Sequence, residues 1–150
     1  MPSSNETVYS LAFSLLNVTA LKNLLPAYTL GGVGAKALFA VNAPDTYSGK
    51  AVVYRIINPP VPHHTNEGTL IQTDYDLEVM YMTTSAYQVS DWSVMTQVKS
   101  LLAGYHNASY TGYLIDIIAQ RPLSSTPLEV NGIRYTVEGY SFKVIVREYF

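Results

Sequence analysis

Residues Ile71 to Met82 have the sequence IQTDYDLEVMYM, and this stretch decides the fold. Successive residues of an extended chain point to opposite sides of the strand. One side of this segment is mainly apolar and consists of Ile71, Thr73, Tyr75, Leu77, Val79 and Tyr81. The other side consists of Gln72, Asp74, Asp76, Glu78, Met80 and Met82. The alternation predicts a strand that packs one face on a core and leaves a face with three carboxylates uncovered.

Five further segments have the pattern of a regular element. They are a helix from about Ser4 to Asn17, a strand over Ala51 to Ile57, a helix from Ser85 to Leu102 and strands over Tyr113 to Ala119 and Ile133 to Val146. In the last strand the apolar residues change parity at Gly139, which predicts a bulge there. The order α-β-β-α-β-β predicts an α+β fold in which a four-stranded antiparallel sheet carries two helices on one face. A length of 150 residues fits a single domain over residues 1–150.

Three stretches between these elements lack any periodic pattern: Leu30 to Lys50, Asn58 to Leu70 and Arg121 to Asn131. They are longer than the connections that a compact domain needs, so we predict that they carry contacts with other chains. The candidate assembly interface consists of side chains in these stretches and at the last two residues, namely Leu30, Val33, Leu38, Phe39, Tyr47, Val61, His63, His64, Leu123, Leu128, Tyr149 and Phe150.

The composition favours contacts with protein over contacts with nucleic acid or membrane. Charged residues make up 13% of the chain and the net charge is −2, so we expect no basic surface for DNA. Thirteen tyrosines suit an oligomeric interface, and they suit a tyrosine-rich sheet equally well. The absence of cysteine excludes disulfides and thiolate metal sites. No run reaches the roughly 18 apolar residues of a membrane span.

Asp74, Asp76 and Glu78 share one face of the central strand, where carboxylates could serve acid–base catalysis or bind a hard metal ion. No second cluster of Asp, Glu or His accompanies them, so we predict that they face solvent or the lumen of a ring. The adjacent His63 and His64 lack the spacing of a zinc site. The glycine-rich segment Gly31 to Lys36 lacks the Gly-Lys-Ser/Thr ending of a phosphate-binding loop. The sequence therefore predicts no catalytic residue, no metal and no cofactor.

From Val53 to Gly104 the sequence predicts a tyrosine-containing strand, a proline-rich loop, a long alternating strand that ends at Tyr81, and a serine-capped helix that closes with Leu-Leu-x-Gly. An N-terminal helix over Val8 to Leu16 and an aromatic-rich last strand over Ile133 to Phe150 complete the pattern. This order resembles the tail-terminator and tail-completion proteins of long-tailed bacteriophages. The chain departs from the shorter members of that family in Leu30 to Lys50 and in the Thr65 to Leu70 loop.

The resemblance implies a virion protein of the tail and neck that is assembled in the host cytoplasm. Members of the family form a ring, typically a hexamer, which caps the tail tube protein, ends tube polymerisation and joins the tail to the head–tail connector or stopper protein. DNA passes through such a ring without sequence-specific binding, no membrane takes part, and no catalytic residues carry over. Two alternatives stay open: another neck or tail-tube ring component, and a small enzyme or ligand-binding domain that uses the face of Asp74, Asp76 and Glu78.

Overall fold

Three helices and nine strands make up the part of the chain that the computed structural model describes, which comprises residues 4–30, 33–41, 43, 50–84, 92–130 and 132–148. The helices are α1 (Ser4–Leu16), α2 (Thr19–Lys22) and α3 (Trp92–Leu102). The strands are β1 (Ala27–Leu30), β2 (Val33–Lys36), β3 (Leu38–Ala40), β4 (Ala51–Ile56), β5 (Val61–His64), β6 (Leu70–Thr84), β7 (His106–Tyr110), β8 (Tyr113–Val130) and β9 (Ile133–Glu148).

Seven of these strands form one mixed sheet in the order β3-β4-β6-β9-β8-β7. β5 pairs with the first residues of β6 on the same edge as β4, because β9 occupies the other edge of β6. Among the described strands, β3 and β4 run parallel and the other pairs are antiparallel. β1 and β2 form a separate hairpin, whose ends meet where the Ala37 amide donates to the Pro26 carbonyl at 3.1 Å.

The main core lies between the helices and one face of the sheet. Leu77 of β6 pairs with Ile56 of β4 on one side and with Phe142 of β9 on the other, and the side chains of Leu77 and Phe142 are fully buried. The helices cover this face with Val8, Leu11, Ala12 and Leu16 of α1 and with Val94, Met95, Val98 and Leu102 of α3. Each such buried apolar side chain contributes roughly 1.5–3 kcal/mol to folding.

The predicted four-stranded sheet with two helices is wrong, because the stretches predicted to be irregular contain strands. Leu30 to Lys50 includes β2 and β3, and β1 begins just before it. Asn58 to Leu70 includes β5, and β8 continues through Arg121 to Val130 as half of a long hairpin with β9. The short strands β3, β5 and β7 were missed because a segment of three to five residues shows too little alternation to be recognised.

The prolines in β5 and β8 lie at edge positions where the sheet needs no backbone N–H donor. Residues of an antiparallel strand bond alternately to one neighbouring strand and to the other. The Ile57 amide donates to the Asp76 carbonyl at 3.0 Å, so Asp76 and every second residue of β6 bond toward β4 and β5, and the residues between them bond toward β9. The same alternation continues through β9 into β8. It leaves the nitrogens of Pro62, Pro122 and Pro127 pointing away from the sheet. No hydrogen bond of the ladder is lost.

The bulge predicted at Gly139 is also wrong. β9 pairs with β6 in one unbroken register from Arg147, opposite Gln72, to Tyr135, opposite Thr84. The parity of the apolar residues changes because Tyr135 and Val137 belong to a second, smaller cluster on the other face of the sheet, with Val53 and Met82. Glycine is needed at 139 for space: a Cβ there would lie 2.4 Å from the Val79 carbonyl oxygen.

Several local predictions are confirmed. α1, β4 and β6 lie within a residue or two of the predicted bounds, and Tyr75, Leu77, Val79 and Tyr81 are buried on the predicted side of β6. α3 is helical over the described part of its predicted range, while Ser85 and the rest of the predicted cap lie outside the described residues.

Candidate functional site

The face of the sheet that the helices leave open carries the predicted carboxylates in a lattice of polar and aliphatic side chains. The register places Val61, Asp74, Ile145, Asp116 and His106 in one row across five neighbouring strands. The next row contains Asp76, Lys143 and Ile118. Val61 and Ile118 are about half exposed, at 55% and 50%. We call this surface the open face; it combines fixed charges with exposed aliphatic side chains.

Asp74 lies at the centre of a hydrogen-bonded cluster on the open face. Gln72 Nε2 donates to Asp74 Oδ1 at 2.8 Å, while His63 Nε2 and Lys143 Nζ lie 3.0 and 3.2 Å from Oδ2. Burial raises the pKa of the Asp74 carboxyl, but the hydrogen bonds from Gln72, His63 and Lys143 outweigh it and hold the pKa below 3.8. Asp74 is therefore ionised at neutral pH, and both of its carboxylate oxygens have hydrogen-bonding partners.

A second cluster on the open face joins β6, β9, β8 and β7. Arg147 Nε donates to Gln72 Oε1 at 3.0 Å, and Arg147 Nη1 lies 2.9 Å from Asp116 Oδ2. His106 Nδ1 lies 2.5 Å from Asp116 Oδ1. The hydrogen bond from His106, followed by that from Arg147, lowers the pKa of Asp116 against the opposing effect of burial. Since Gln72 also bonds to Asp74, the two clusters form one network from His63 on β5 to His106 on β7.

The remaining two predicted carboxylates are paired as well. Asn58 Nδ2 donates to Asp76 Oδ2 at 2.9 Å, and Arg55 Nη2 lies 3.1 Å from Glu78 Oε1. Beside Asp76, the bulge of β8 leaves a small polar cavity of about 340 Å³, lined by Ile57, Asn58, Asp76, Gln120, Arg121 and Ser141.

The pKa shifts of Asp74 and Asp116 bear on the chemistry that this face can perform. A general acid or base works best with a pKa near the operating pH, whereas the pKa values of Asp74 and Asp116 are shifted the other way. In the described part of the chain, no group of three or more His, Asp or Glu side chains is placed to hold a metal ion. The network instead fixes the side chains of the open face in one geometry, which lowers the entropy lost when a partner binds.

A groove lies at one end of the molecule, where the C-terminal end of α1 meets α2 and the strands β2 and β3. Its volume is about 720 Å³, and it is lined by Phe13, Asn17, Thr19, Lys22, Asn23, Ala27, Lys36 and Leu38. Lys36 Nζ lies 3.4 Å from the Leu25 carbonyl, and the Phe13 ring is 47% exposed. No acidic residue occurs between Thr7 and Pro44, so this groove combines two lysines with an accessible aromatic ring and no carboxylate.

The described residues of the predicted assembly interface lie on several strands. Val61, His63 and His64 are exposed on β5, while Leu38 and Phe39 are half-buried on β3, where Leu38 packs on the main core and Phe39 on the second cluster. Leu123 is half-buried on β8. The strands place the backbones of Leu30, Val33 and Leu128, whose side chains lie outside the description, and Tyr47, Tyr149 and Phe150 lie outside the described residues altogether.

Sequence reasoning missed the partners of the carboxylates and both lysines of the groove. The partners Lys143 and Arg147 had a detectable signal, since they share a parity in β9 that is opposite to that of Phe142 and Val144. The signal for the groove was the long acid-free stretch that contains Lys22 and Lys36.

The comparisons with known proteins give no family assignment: no protein-family model matches the chain, and no curated protein matches its sequence. None of the helices in the described residues is long and apolar enough to cross a membrane.

Proposed function

We propose that this chain is a structural subunit of a hexameric ring that caps the tail tube of a long-tailed bacteriophage, ends tube polymerisation and joins the tail to the head connector. The choice of family rests on the resemblance of the segment from Val53 to Gly104 to tail-terminator proteins. The observation that supports the proposal most is the open face: a wide sheet surface with fixed, paired charges and exposed Val61 and Ile118. Such a mixture is typical of protein–protein interfaces.

We further propose that the open face contacts the end of the tail tube. Its carboxylates Asp74, Asp76, Glu78 and Asp116 are accompanied by three basic partners, Arg55, Lys143 and Arg147. Opposite charges that are already paired are less strongly hydrated than isolated ones, so covering this face with protein costs less than covering a bare acidic surface. If the face instead lines a lumen, as predicted from the sequence, that wall is nearly neutral.

Two measurements test this function. Light scattering should give a particle of about six times the 16.6 kDa of one chain, and electron microscopy should show capped tubes of uniform length when tail tubes assemble in its presence. V61D/I118D, which places charges on the open face, should keep the particle mass but lose capping. The matched variant T96D, at an exposed position of α3, should keep both. Tubes of unregulated length with the parent chain would refute the proposal.

A further inference from the structure

The groove is lined by two lysines, Lys22 and Lys36, and by no carboxylate. Within the described residues, neither lysine takes part in an ion pair, and Lys36 has only a long hydrogen bond to a backbone carbonyl. Asn17, Asn23 and the exposed Phe13 also line the groove. Two cations, hydrogen-bond donors and an aromatic surface suit a short acidic segment of polypeptide.

The turn between β5 and β6 has the complementary chemistry. Glu67 lies at its tip, is exposed and makes no ion pair among the described residues. The turn is rigid: the Thr65 amide donates to the Thr69 carbonyl at 2.8 Å, the Thr69 amide donates to Thr65 Oγ1 at 3.1 Å, and Gly68 adopts a positive φ of 86°. A turn that is already ordered loses little entropy when it binds.

The groove and the turn lie at opposite ends of the molecule. Leu38, which lines the groove, pairs with Val52 of β4, and Val52 pairs with Tyr81 near the end of β6. The turn immediately precedes Leu70, at the start of the same strand. At about 3.3 Å per residue, these two points of β6 are roughly 35 Å apart. Complementary patches on opposite ends of one chain are what a head-to-tail contact between identical subunits requires, and such contacts close into rings when the rotation permits.

We infer, on the basis of the proposed ring, that the groove binds the β5–β6 turn of a neighbouring copy of this chain, with Glu67 between Lys22 and Lys36. The contact is the joint between ring subunits, whereas the open face meets the tube. Because the contact joins the exposed Glu67 to two half-buried lysines that solvent ions can still reach, it weakens as the ionic strength rises from about 50 to 500 mM and the Debye length falls below about 10 Å.

A charge-swap experiment identifies the occupant. Sedimentation equilibrium measures self-association of the parent, of K22E/K36E, of E67K and of the combined variant. We expect each reversal to weaken association by roughly tenfold, because attraction is replaced by repulsion, and the combined variant to recover most of the loss. K99E and E129K are the matched controls: they reverse an exposed lysine of α3 and an exposed glutamate of β8, and should leave association unchanged.

The outcomes separate this contact from the ring itself. If the parent forms rings and K22E/K36E forms them equally well, the groove is not the joint, although the proposed function survives. If K22E/K36E weakens association but E67K does not, or if the combined variant recovers nothing, the β5–β6 turn is not the occupant. A parent chain that stays monomeric at every concentration refutes both the ring and this contact.

Discussion

Asp74 shows how one residue orders a sheet face that no helix covers. Its carboxylate accepts hydrogen bonds from Gln72 on its own strand and from His63 on β5, and it pairs with Lys143 on β9. Burial raises the pKa of its carboxyl, but the partners lower that pKa by more than burial raises it, so it lies below the ordinary value of 3.8. A depressed folded-state pKa means that Asp74 adds stability above its unfolded-state pKa and loses that contribution as the pH falls through the folded-state value.

Replacing Asp74 by Asn keeps the shape of the side chain but removes the charge that Lys143 pairs with. We expect D74N to lower the free energy of unfolding by about 1–2 kcal/mol at pH 7, as for a partly buried charged hydrogen bond. The difference from the parent should shrink as the pH falls below 3.8. Urea unfolding between pH 7 and pH 3 measures both effects. D76N, which changes a carboxylate that bonds to the exposed Asn58, is the control and should change stability less. A difference that does not depend on pH would contradict this account of Asp74.

The face shared by Asp74, Asp76 and Glu78 was predictable from the sequence, whereas the pairing of carboxylates with particular basic residues was not. Which residues of a strand share a face follows from the local sequence, and the two faces of β6 alternate without interruption. Lys143 reaches Asp74 only through the register between β6 and β9, and Arg147 reaches Asp116 only through the register between β8 and β9. A shift of one residue would turn every side chain of β9 to the other face, so no local pattern determines which pairs form.

At the scale of elements, prediction succeeded where a segment had a clear local pattern, as in the periodic α1 and β6 and the β-branched run of β4. It failed in the proline-rich segments because proline is excluded from a central strand but tolerated at an edge. Whether Pro62 or Pro122 lies at an edge depends on which strands pair, and sequence composition does not show this. The parallel strand β3 was missed for the same reason, since it is defined by its pairing with β4.

The outward-pointing prolines have a consequence for association. A sheet edge with free amide and carbonyl groups can add a strand from another molecule, and a proline at an outward position removes a donor from that edge. We expect the triple variant P62T/P122T/P127T to fold like the parent but to associate through its edges into larger, polydisperse particles. Dynamic light scattering and thioflavin binding measure this change, with P59T, before β5, as the control. If the triple variant kept the parent's size distribution, the prolines would have no protective role at these edges.

At the scale of the whole molecule, each surface has a different composition. The helices seal one face of the sheet, the open face carries a paired-charge network, and the two ends of β6 lie near a cationic groove and an acidic turn. A head-to-tail ring uses two different surfaces of each subunit for its neighbours and leaves others for components above and below. If the chain forms the proposed ring, the separation of these surfaces on one sheet predicts that ring closure and tube capping can be disrupted independently.

The β1–β2 hairpin provides the last test, because it contributes Ala27 and Lys36 to the groove while its strands pair only with each other and not with the main sheet. Its ends meet at the 3.1 Å hydrogen bond between the Pro26 carbonyl and the Ala37 amide, so residues Ala27 to Lys36 can be replaced by two glycines with little change elsewhere. We expect the shortened chain to keep its helical circular dichroism and to melt within a few degrees of the parent, but to lose ring formation and tube capping.

K36R, which keeps the hairpin and its charge, is the control and should form rings. A shortened chain that still gave normal rings and tails of normal length would show that the hairpin and its groove are not the joint. A chain that unfolded would show instead that the hairpin stabilises the domain, contrary to its separate position beside the sheet.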